Sequence, residues 1–419
     1  MENLFESYSP IQIYLPGCQI SSQYILATNY LYIVYCSQTS VIILDKKTKN
    51  IKGIRNLGEN SLIKTIGLNK EDKKELAIYN NNEIIIYNID RDEDIKKIQC
   101  ENIIYMEFNS NDKLIVLTSK GEIYYHDFLL VKNPNEEIPN YTQIKTKNKA
   151  LCIRSYPFNS KDLVYVNNKN EIYLIKKKKK KDISNIKLPV FKGEDYSICT
   201  MEWYDIDENY KYLLLGSNTS RIFLVDFTND NNPTIINQFE KIGNSILSLI
   251  WLIFQPGSFI TITSKNNKIY FFNVSKNNYK EIKSIGKDSI DQCIKYDKES
   301  ILFSSEYNDL FIYNIKENNF IFSVRSPHIK RILDLKFNPI EKDIFATCSL
   351  DGKVKLWNIK KMYPINSIII KNISNKNDEN ENIQVYCIKW SPLNKDLIST
   401  GDSLLYLRIY DVNKKKTNL

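Results

Sequence analysis

The chain has 419 residues, of which 42% are hydrophobic, so it can bury a sizeable core as one large or two medium domains. Its 58 basic and 49 acidic residues give a net charge of +9, a mild imbalance for this length. Lysine is spread along nearly the whole sequence, whereas nucleic-acid-binding proteins usually gather their basic residues on one face. The charge therefore does not by itself indicate a nucleic-acid partner.

The eight cysteines exclude a Cys-x-x-Cys zinc or redox motif, because no two of them lie within four residues of each other. They are predicted to be free thiols in a reducing compartment. Several lie in apolar, strand-like patterns, where cysteine behaves as a small buried hydrophobe: Cys152, Cys199, Cys293 and Cys387.

The N-terminus lacks the basic start and apolar core of a signal peptide. The longest apolar run, Leu247–Phe254, is far shorter than the roughly 20 residues that a membrane span needs. These two features predict a soluble, intracellular protein that is located in the cytoplasm and has no transmembrane segment.

A short apolar strand, in most cases ending in Asp or Asn, recurs along the chain at intervals of roughly 40 to 50 residues, the period of a four-stranded propeller blade. About nine such endings follow one another: Val41–Asp45, Ile84–Asn88, Ile123–Asp127, Glu171–Ile175, Ile222–Asp226, Ile269–Asn273, Leu310–Asn314, Trp357–Asn358 and Leu407–Asp411.

Most of these endings are preceded by another strand and a polar turn, and often by an earlier strand that ends in an aromatic residue. No segment keeps a 3.6-residue apolar period, so very little helix is expected. The pattern predicts an all-β propeller of four-stranded blades, because radial packing buries the faces that one blade alone leaves exposed. The aromatic strand ends are predicted to fill the core between blades: Trp203, Trp251, Phe337 and Trp390.

Three polar stretches interrupt the strand pattern. Lys132–Asn148 and Asn372–Asn382 are predicted to be loops, the second of them a disordered loop between two blades. The third is a basic run at a blade turn, made of Lys176, Lys177, Lys178, Lys179, Lys180 and Lys181. It is either a solvated loop or a local site for acidic partners, RNA or anionic lipid. No aromatic residues alternate with it, so base stacking is not supported there.

The segment His328–Asn358 is the best-formed repeat, with three short strands and a tight turn at Asp351-Gly352. It resembles the WD-repeat family. That resemblance implies a hydrogen-bonded tetrad of His328, Thr347, Asp351 and Trp357, in which Asp accepts from His, His from Thr, and Thr from the indole N–H. The other repeats depart from the family pattern, because the second of the two histidines, His126, lies at a strand end instead.

Shorter likenesses in the same order resemble one subgroup of the family, that of WD repeat-containing protein 17. They are Leu15–Gln19, Cys199–Trp203, Pro256–Thr261 and the strong repeat. This resemblance implies a seven-bladed propeller over residues 1–320 and two further blades of an incomplete second propeller over 321–419. One irregular ring of about nine blades is the alternative. The rest of a second ring would come from missing sequence, another chain or packing on the first ring.

The sequence indicates no catalytic chemistry. The two histidines are far apart and lie in no recognisable motif, and no Gly-rich phosphate loop is present. We therefore predict no enzyme, no cofactor and no metal. The WD-repeat resemblance implies a scaffold that docks other proteins within a multiprotein assembly. An RNA- or anionic-lipid-binding propeller that uses the Lys176–Lys181 loop is the alternative. A propeller enzyme would need a metal or a carboxylate cluster in its channel. Partner identity and oligomeric state are left open.

Overall fold

A computed structural model of the chain describes most of its residues. The described ranges are 25–37, 39–58, 61–70, 74–109, 113–126, 141–159, 162–176, 182–191, 195–230, 232–239, 241–263, 268–284, 290–305, 309–324, 328, 330–359, 364–370 and 383–413. They form 35 β-strands in nine antiparallel sheets. This part of the chain contains no helix, and therefore none that could cross a membrane.

In each sheet the strands follow one another in chain order as a meander. Sheet 1 contains β1 (Leu26–Thr28), β2 (Tyr32–Ser37), β3 (Ser40–Asp45) and β4 (Ile51–Asn56). Sheet 2 contains β5 (Thr65–Leu68), β6 (Glu75–Tyr79), β7 (Glu83–Asn88) and β8 (Glu93–Gln99). Sheet 3 contains β9 (Ile103–Phe108), β10 (Leu114–Thr118), β11 (Ile123–His126) and β12 (Tyr141–Ile144).

Sheets 4 to 6 repeat the arrangement. Sheet 4 contains β13 (Ala150–Ser155), β14 (Asp162–Asn167), β15 (Glu171–Lys176) and β16 (Asp182–Lys187). Sheet 5 contains β17 (Ile198–Trp203), β18 (Tyr212–Ser217), β19 (Ile222–Asp226) and β20 (Thr234–Phe239). Sheet 6 contains β21 (Ile246–Trp251), β22 (Ser258–Thr263), β23 (Lys268–Asn273) and β24 (Asn278–Ser284).

The last three sheets follow. Sheet 7 contains β25 (Ile290–Lys295), β26 (Ser300–Ser305), β27 (Leu310–Asn314) and β28 (Asn319–Val324). Sheet 8 contains β29 (Ile332–Phe337), β30 (Ile344–Ser349), β31 (Lys353–Asn358) and β32 (Pro364–Ile369). Sheet 9 contains β33 (Val385–Trp390), β34 (Leu397–Asp402) and β35 (Leu407–Asp411), three strands among the described residues. The nine sheets confirm the predicted fold, an all-β propeller of blade-like repeats.

The described residues divide into two compact units. The larger reaches from sheet 1 to residue 322, and the smaller contains residues 309–310 and 323–413. In the larger unit neighbouring sheets pack against each other and sheet 7 packs against sheet 1. The backbone N–H of Ile25 donates to Gln292 Oε1 at 3.3 Å, and Lys46 Nζ donates to the Tyr296 carbonyl at 2.5 Å, which ties the two ends of this ring together. That residues 321–419 begin a second propeller stays a prediction.

The aromatic strand ends are buried in the ring but not in sheet 8. Trp203 and Trp251 are buried as predicted, and Trp251 packs edge-on against Tyr204 with ring centroids 5.0 Å apart. Trp390 is half-buried. Phe337, predicted to be core, is 57% exposed, and this prediction is wrong because Phe337 lies in β29, an edge strand of sheet 8, where the described residues leave its side chain open to solvent.

Two further sequence predictions need correction. Residues 141–144, predicted to lie in a loop, form β12, a fourth strand whose outer edge tolerates polar residues. Cys152 and Cys293 are buried as predicted, but Cys199 and Cys387 are exposed. Cys199 is the extra residue of a β-bulge, and Cys387 lies opposite Gly401, which has no side chain to cover it. The predicted loop at residues 372–382 lies outside the described residues.

Candidate functional site

The structure brings together the four side chains predicted to brace the strongest repeat. His328 Nδ1 lies 2.9 Å from Asp351 Oδ2, and its Nε2 lies 2.7 Å from Thr347 Oγ1. The Trp357 indole N–H donates to the same Thr347 oxygen at 2.8 Å. Because an ionised carboxylate only accepts, Nδ1 carries the proton and Nε2 accepts from the hydroxyl. The geometry therefore fits a neutral imidazole.

The turn that carries Asp351 depends on the following glycine. Gly352 has a φ of +74°, and a Cβ there would lie 2.6 Å from the carbonyl oxygen of Ile383. The backbone N–H of Lys353 donates to Asp351 Oδ1 at 3.0 Å. Glycine supplies both the left-handed conformation and the close approach to the chain that leads into sheet 9.

We expect the pKa of His328 in the folded chain to lie below 6.5. Burial lowers its pKa from the ordinary 6.5, although Asp351 opposes that change. The unfolded chain takes up a proton that the folded chain does not, so this contribution to stability is complete above pH 6.5 and falls as the pH drops toward the folded pKa. An NMR titration of the imidazole Cε1–H signals checks this.

The chain has only two histidines, so the titration is readily assigned with a His328→Gln variant. The remaining signal belongs to His126, whose pKa burial lowers to about 4. A His328 signal that titrates at or above pH 6.5 would contradict the neutral tetrad.

The basic run is described only at its first residue. Lys176 ends β15 and pairs with Asp230. Lys177 to Lys181 lie outside the described residues. The described part of the run therefore makes an internal ion pair between sheets 4 and 5.

A central cavity runs along the first strands of the larger unit. It has a volume of about 1020 Å³, and all seven sheets of the ring contribute to its wall. In five of these first strands the pairing with the second strand has a register shift near the start of the strand. The third paired residue after that shift occupies the same position in each sheet, and these residues are Glu107, Arg154, Glu202, Ile250 and Ile294. The wall is therefore charged on sheets 3 to 5 and apolar on sheets 6 and 7.

The charged wall is held by contacts between neighbouring sheets. Glu107 Oε1 accepts the backbone N–H of Ser155 at 2.6 Å, and its Oε2 accepts from the Tyr105 hydroxyl at 2.8 Å. The Arg154 guanidinium lies 4.7 Å from the Tyr105 ring centroid, and its Nε is 3.8 Å from Glu202 Oε2. Burial raises the pKa of Glu202, with Arg154 acting in the opposite direction.

One mouth of the cavity is rich in lysine. The first and third strands of a sheet run in the same direction, so the residues that follow them meet at the same end of the ring. Lys295 Nζ contacts both oxygens of Asp205, at 2.9 and 2.7 Å, and so joins sheets 7 and 5. The charged residues that line the cavity at this end are Lys46, Lys47, Lys70, Lys295, Lys298, Asp205 and Asp297.

Three of these lysines are available to a ligand. Lys47, Lys70 and Lys298 are exposed and make no ion pair with other residues that the structure describes. Lys46 differs, because burial lowers its pKa and its ammonium donates to the carbonyl oxygens of Asn29 and Tyr296. The mouth therefore presents a positively charged surface over a partly apolar cavity.

Sequence reasoning did not identify this site. A signal was present, because Glu107 and Glu202 each stand directly before the aromatic residue that ends a buried strand, Phe108 or Trp203. A charged side chain within an otherwise buried strand indicates that this side of the strand faces a solvent-filled cavity. That the three charges share one wall depends on the order of the sheets around the ring.

The described residues contain no group of three or more His, Cys, Asp or Glu side chains that could hold a metal ion.

Comparison with known proteins places one repeat in a family. The family described as "WD40: WD domain, G-beta repeat" matches residues 321–358, the segment that carries the tetrad. The chain is also similar to "Glutamate-rich WD repeat-containing protein 1" of Dictyostelium discoideum, with 30% identity over 59 residues. That match covers 14% of this chain and spans only 12% of the length of the relative.

Solved structures resemble the fold over a much longer stretch. A chain from "Crystal Structure of Mitotic Checkpoint Complex" matches with a TM-score of 0.59 and 12% identity, over 74% of this chain and 96% of that one. The β-propeller domain of Cps50 (Swd1) from Myceliophteria thermophila matches with a TM-score of 0.58 and 10% identity, over 72% and 98%. At these identities the likeness concerns the fold alone.

Proposed function

We propose that this β-propeller, one repeat of which matches the WD40 family, is a non-enzymatic scaffold that docks other proteins on its propeller faces within a multiprotein assembly. WD40 propellers generally serve as protein-interaction scaffolds, and one of the similar structures is a component of a complex. The observation that carries the proposal is the lysine-rich mouth of the central cavity.

The chemistry of the mouth favours an acidic partner. Its five lysines outnumber its two aspartates, and Lys295 already neutralises Asp205. Lys47, Lys70 and Lys298 are left to attract carboxylates, which would raise the rate of encounter and favour acidic segments over basic ones. The apolar wall at Ile250 and Ile294 offers a place for an apolar side chain of the same segment.

We expect charge reversal at the mouth to abolish partner capture. The Lys47→Glu, Lys70→Glu and Lys298→Glu triple variant replaces exposed cations and should leave the fold intact. The measurement is affinity purification of the tagged full chain with amine-reactive cross-linking, followed by mass spectrometry. Partners captured by the unaltered chain should cross-link to these lysines and be lost, or reduced at least about tenfold, in the variant.

Lys276→Glu is the matched control, because Lys276 is an exposed lysine in the turn between β23 and β24. It should leave capture unchanged. Reproducible partners that bind the triple variant as well as the unaltered chain would place docking elsewhere. No reproducible partner at all would count against the scaffold itself.

The finer sequence predictions remain proposals. In the basic run, the described residue Lys176 is engaged by Asp230 and so does not support the RNA or lipid alternative, which remains a prediction from the sequence. The likeness to WD repeat-containing protein 17 and the cytoplasmic location also stay predictions from the sequence.

A further inference from the structure

The turn between β1 and β2 carries the most exposed aromatic side chain of the described residues. Tyr30 is 79% exposed and makes no hydrogen bond or ring contact with other residues that the structure describes. It lines the lysine-rich mouth of the central cavity. A tyrosine ring left uncovered at the rim of a cavity offers a flat apolar face to a ligand.

The backbone on either side of Tyr30 is held in place although its ring is uncovered. Asn29 Oδ1 accepts the backbone N–H groups of Leu31, at 2.9 Å, and of Tyr32, at 2.8 Å, which closes the turn around Tyr30. Asn29 itself is buried. The ring is therefore presented from an ordered turn, which lowers the entropic cost of binding to it.

The same asparagine joins this turn to sheet 2. Asn29 Nδ2 donates to the backbone carbonyl of Asn69 at 2.9 Å. Lys70, the next residue, is exposed and lines the same cavity. The turn of sheet 1 that carries Tyr30 and the lysine that follows β5 of sheet 2 are thus held side by side.

A second tether joins the turn to sheet 7. Lys46 Nζ donates to the carbonyl oxygens of Asn29, at 2.9 Å, and of Tyr296, at 2.5 Å. Lys47 follows Lys46 in the chain, and Lys298 lies two residues after Tyr296. Both Lys47 and Lys298 are exposed and line the cavity. The turns of sheets 7, 1 and 2 therefore form one continuous part of the rim.

Tyr30 thus stands among exposed lysines of three neighbouring sheets. We call this group the aromatic–lysine surface, made of Tyr30, Lys47, Lys70 and Lys298. Exposed lysines beside an uncovered aromatic ring are the combination that binds single-stranded nucleic acid, in which phosphates contact the cations and a base stacks on the ring. An acidic protein segment would use the lysines and leave the ring without a role. Because the lysines come from three sheets, they suit successive phosphates of a strand better than one phosphate group.

We propose that the aromatic–lysine surface binds a single strand of nucleic acid, with one base stacked on Tyr30 and neighbouring phosphates on Lys47, Lys70 and Lys298. Stacking reads no base edge, so binding tolerates different sequences. This ligand goes beyond the proposed docking of proteins. It uses the same lysines, and Tyr30 is the residue that distinguishes the two.

The first experiment measures binding of a fluorescent oligouridylate decamer to the full chain by fluorescence anisotropy at low salt. Tyr30→Ser should weaken binding about tenfold, because it removes one stacked base without changing the charge. Tyr30→Phe keeps the ring and should bind as the unaltered chain does. Tyr210→Ser is the matched control, since Tyr210 is an exposed tyrosine in the turn between β17 and β18, at the same end of the ring, and it should change nothing. An unaltered chain that does not bind the decamer, or a Tyr30→Ser variant that binds it equally well, would overturn the proposal.

The second experiment tests the phosphate contacts by repeating the titration over a range of salt concentrations. The Lys47→Ser, Lys70→Ser and Lys298→Ser triple variant should flatten the slope of log affinity against log salt by about 2, since each phosphate contact with a single strand contributes about 0.7. Lys276→Ser is the control, because Lys276 is an exposed lysine in the turn between β23 and β24. An unchanged slope in the triple variant would contradict the assignment of phosphates to these lysines.

Competition against the labelled decamer separates the possible ligands. Uridine monophosphate and a decaglutamate peptide should each compete far more weakly than the unlabelled decamer. Equal competition by the mononucleotide or by the peptide would overturn the strand in favour of a free nucleotide or an acidic protein segment. Protein capture by a chain whose decamer binding does not depend on Tyr30 would remove this inference alone. Binding that depends on Tyr30, in a chain that captures no protein, would instead remove only the proposed scaffold.

Discussion

Replacing Trp357 by alanine is expected to lower the free energy of unfolding of the smaller unit by about 3–5 kcal/mol. The indole ring of Trp357 is buried and stacks on the Phe345 ring, with ring centroids 5.8 Å apart and ring planes 6° from parallel. Its indole N–H also donates to Thr347, so the substitution leaves a cavity and removes one member of the tetrad. Hydrogen exchange of the β30 and β31 amides measures the loss in the full chain.

Trp357→Phe separates the two causes. It keeps most of the buried ring and removes only the N–H donor, so we expect a loss of about 1 kcal/mol. Tyr386→Ala is the control for aromatic removal as such, because Tyr386 is exposed on β33. Unchanged exchange in Trp357→Ala would mean that sheet 8 is not a packed blade.

The third strand of each sheet could be predicted because its burial leaves a clear trace in the sequence. β3, β7 and β19 are apolar at nearly every position and most end in Asp or Asn, since both of their faces are covered by neighbouring sheets. The fourth strands could not be predicted as well. β4 alternates between half-buried and exposed residues, and β12 lies in a segment too polar to be recognised.

The tetrad and the central cavity show how far the sequence can locate a functional site. His328, Thr347, Asp351 and Trp357 lie within one repeat, so their spacing along the chain fixes which side chains meet. Glu107, Arg154 and Glu202 belong to three sheets, and they share one wall only because the ring places those sheets side by side.

The burial of Phe337 was wrongly predicted for a related reason, because burial also depends on parts of the chain that are distant in sequence. The sequence pattern around Phe337 equals that around Trp203, but Trp203 is covered by the preceding sheet of the larger unit, whereas the described residues leave Phe337 open to solvent. Local sequence specifies which face of a blade is apolar, whereas the neighbour that covers the face is decided by the rest of the assembly.

The two sheets that enclose the start of the basic run are joined by a network of four charges. Lys211 Nζ donates to Asp162 Oδ2 at 2.6 Å and to Asp230 Oδ1 at 2.8 Å, and Lys176 pairs with the other oxygen of Asp230. Asp162 and Lys211 are nearly enclosed, and Lys211 also lies 4.9 Å from the Tyr156 ring centroid. Burial alone would raise the pKa of Asp230, but the bonds from Lys176 and Lys211 outweigh it and lower that pKa.

Lys211→Met is expected to lower the free energy of unfolding by about 3–5 kcal/mol, because it keeps the apolar stem but leaves two carboxylates without their shared cation. In the unaltered chain the contribution of Asp230 is complete above its ordinary pKa of 3.8 and is lost as the pH falls through the lower folded value. The deficit of the variant should therefore shrink on acidification, as its carboxylates become protonated. Lys316→Met is the matched control, because Lys316 pairs with Glu299 at the surface and its loss should leave the melting temperature unchanged. Equal melting temperatures for Lys211→Met and the unaltered chain at neutral pH would show that the network does not hold sheets 4 and 5 together.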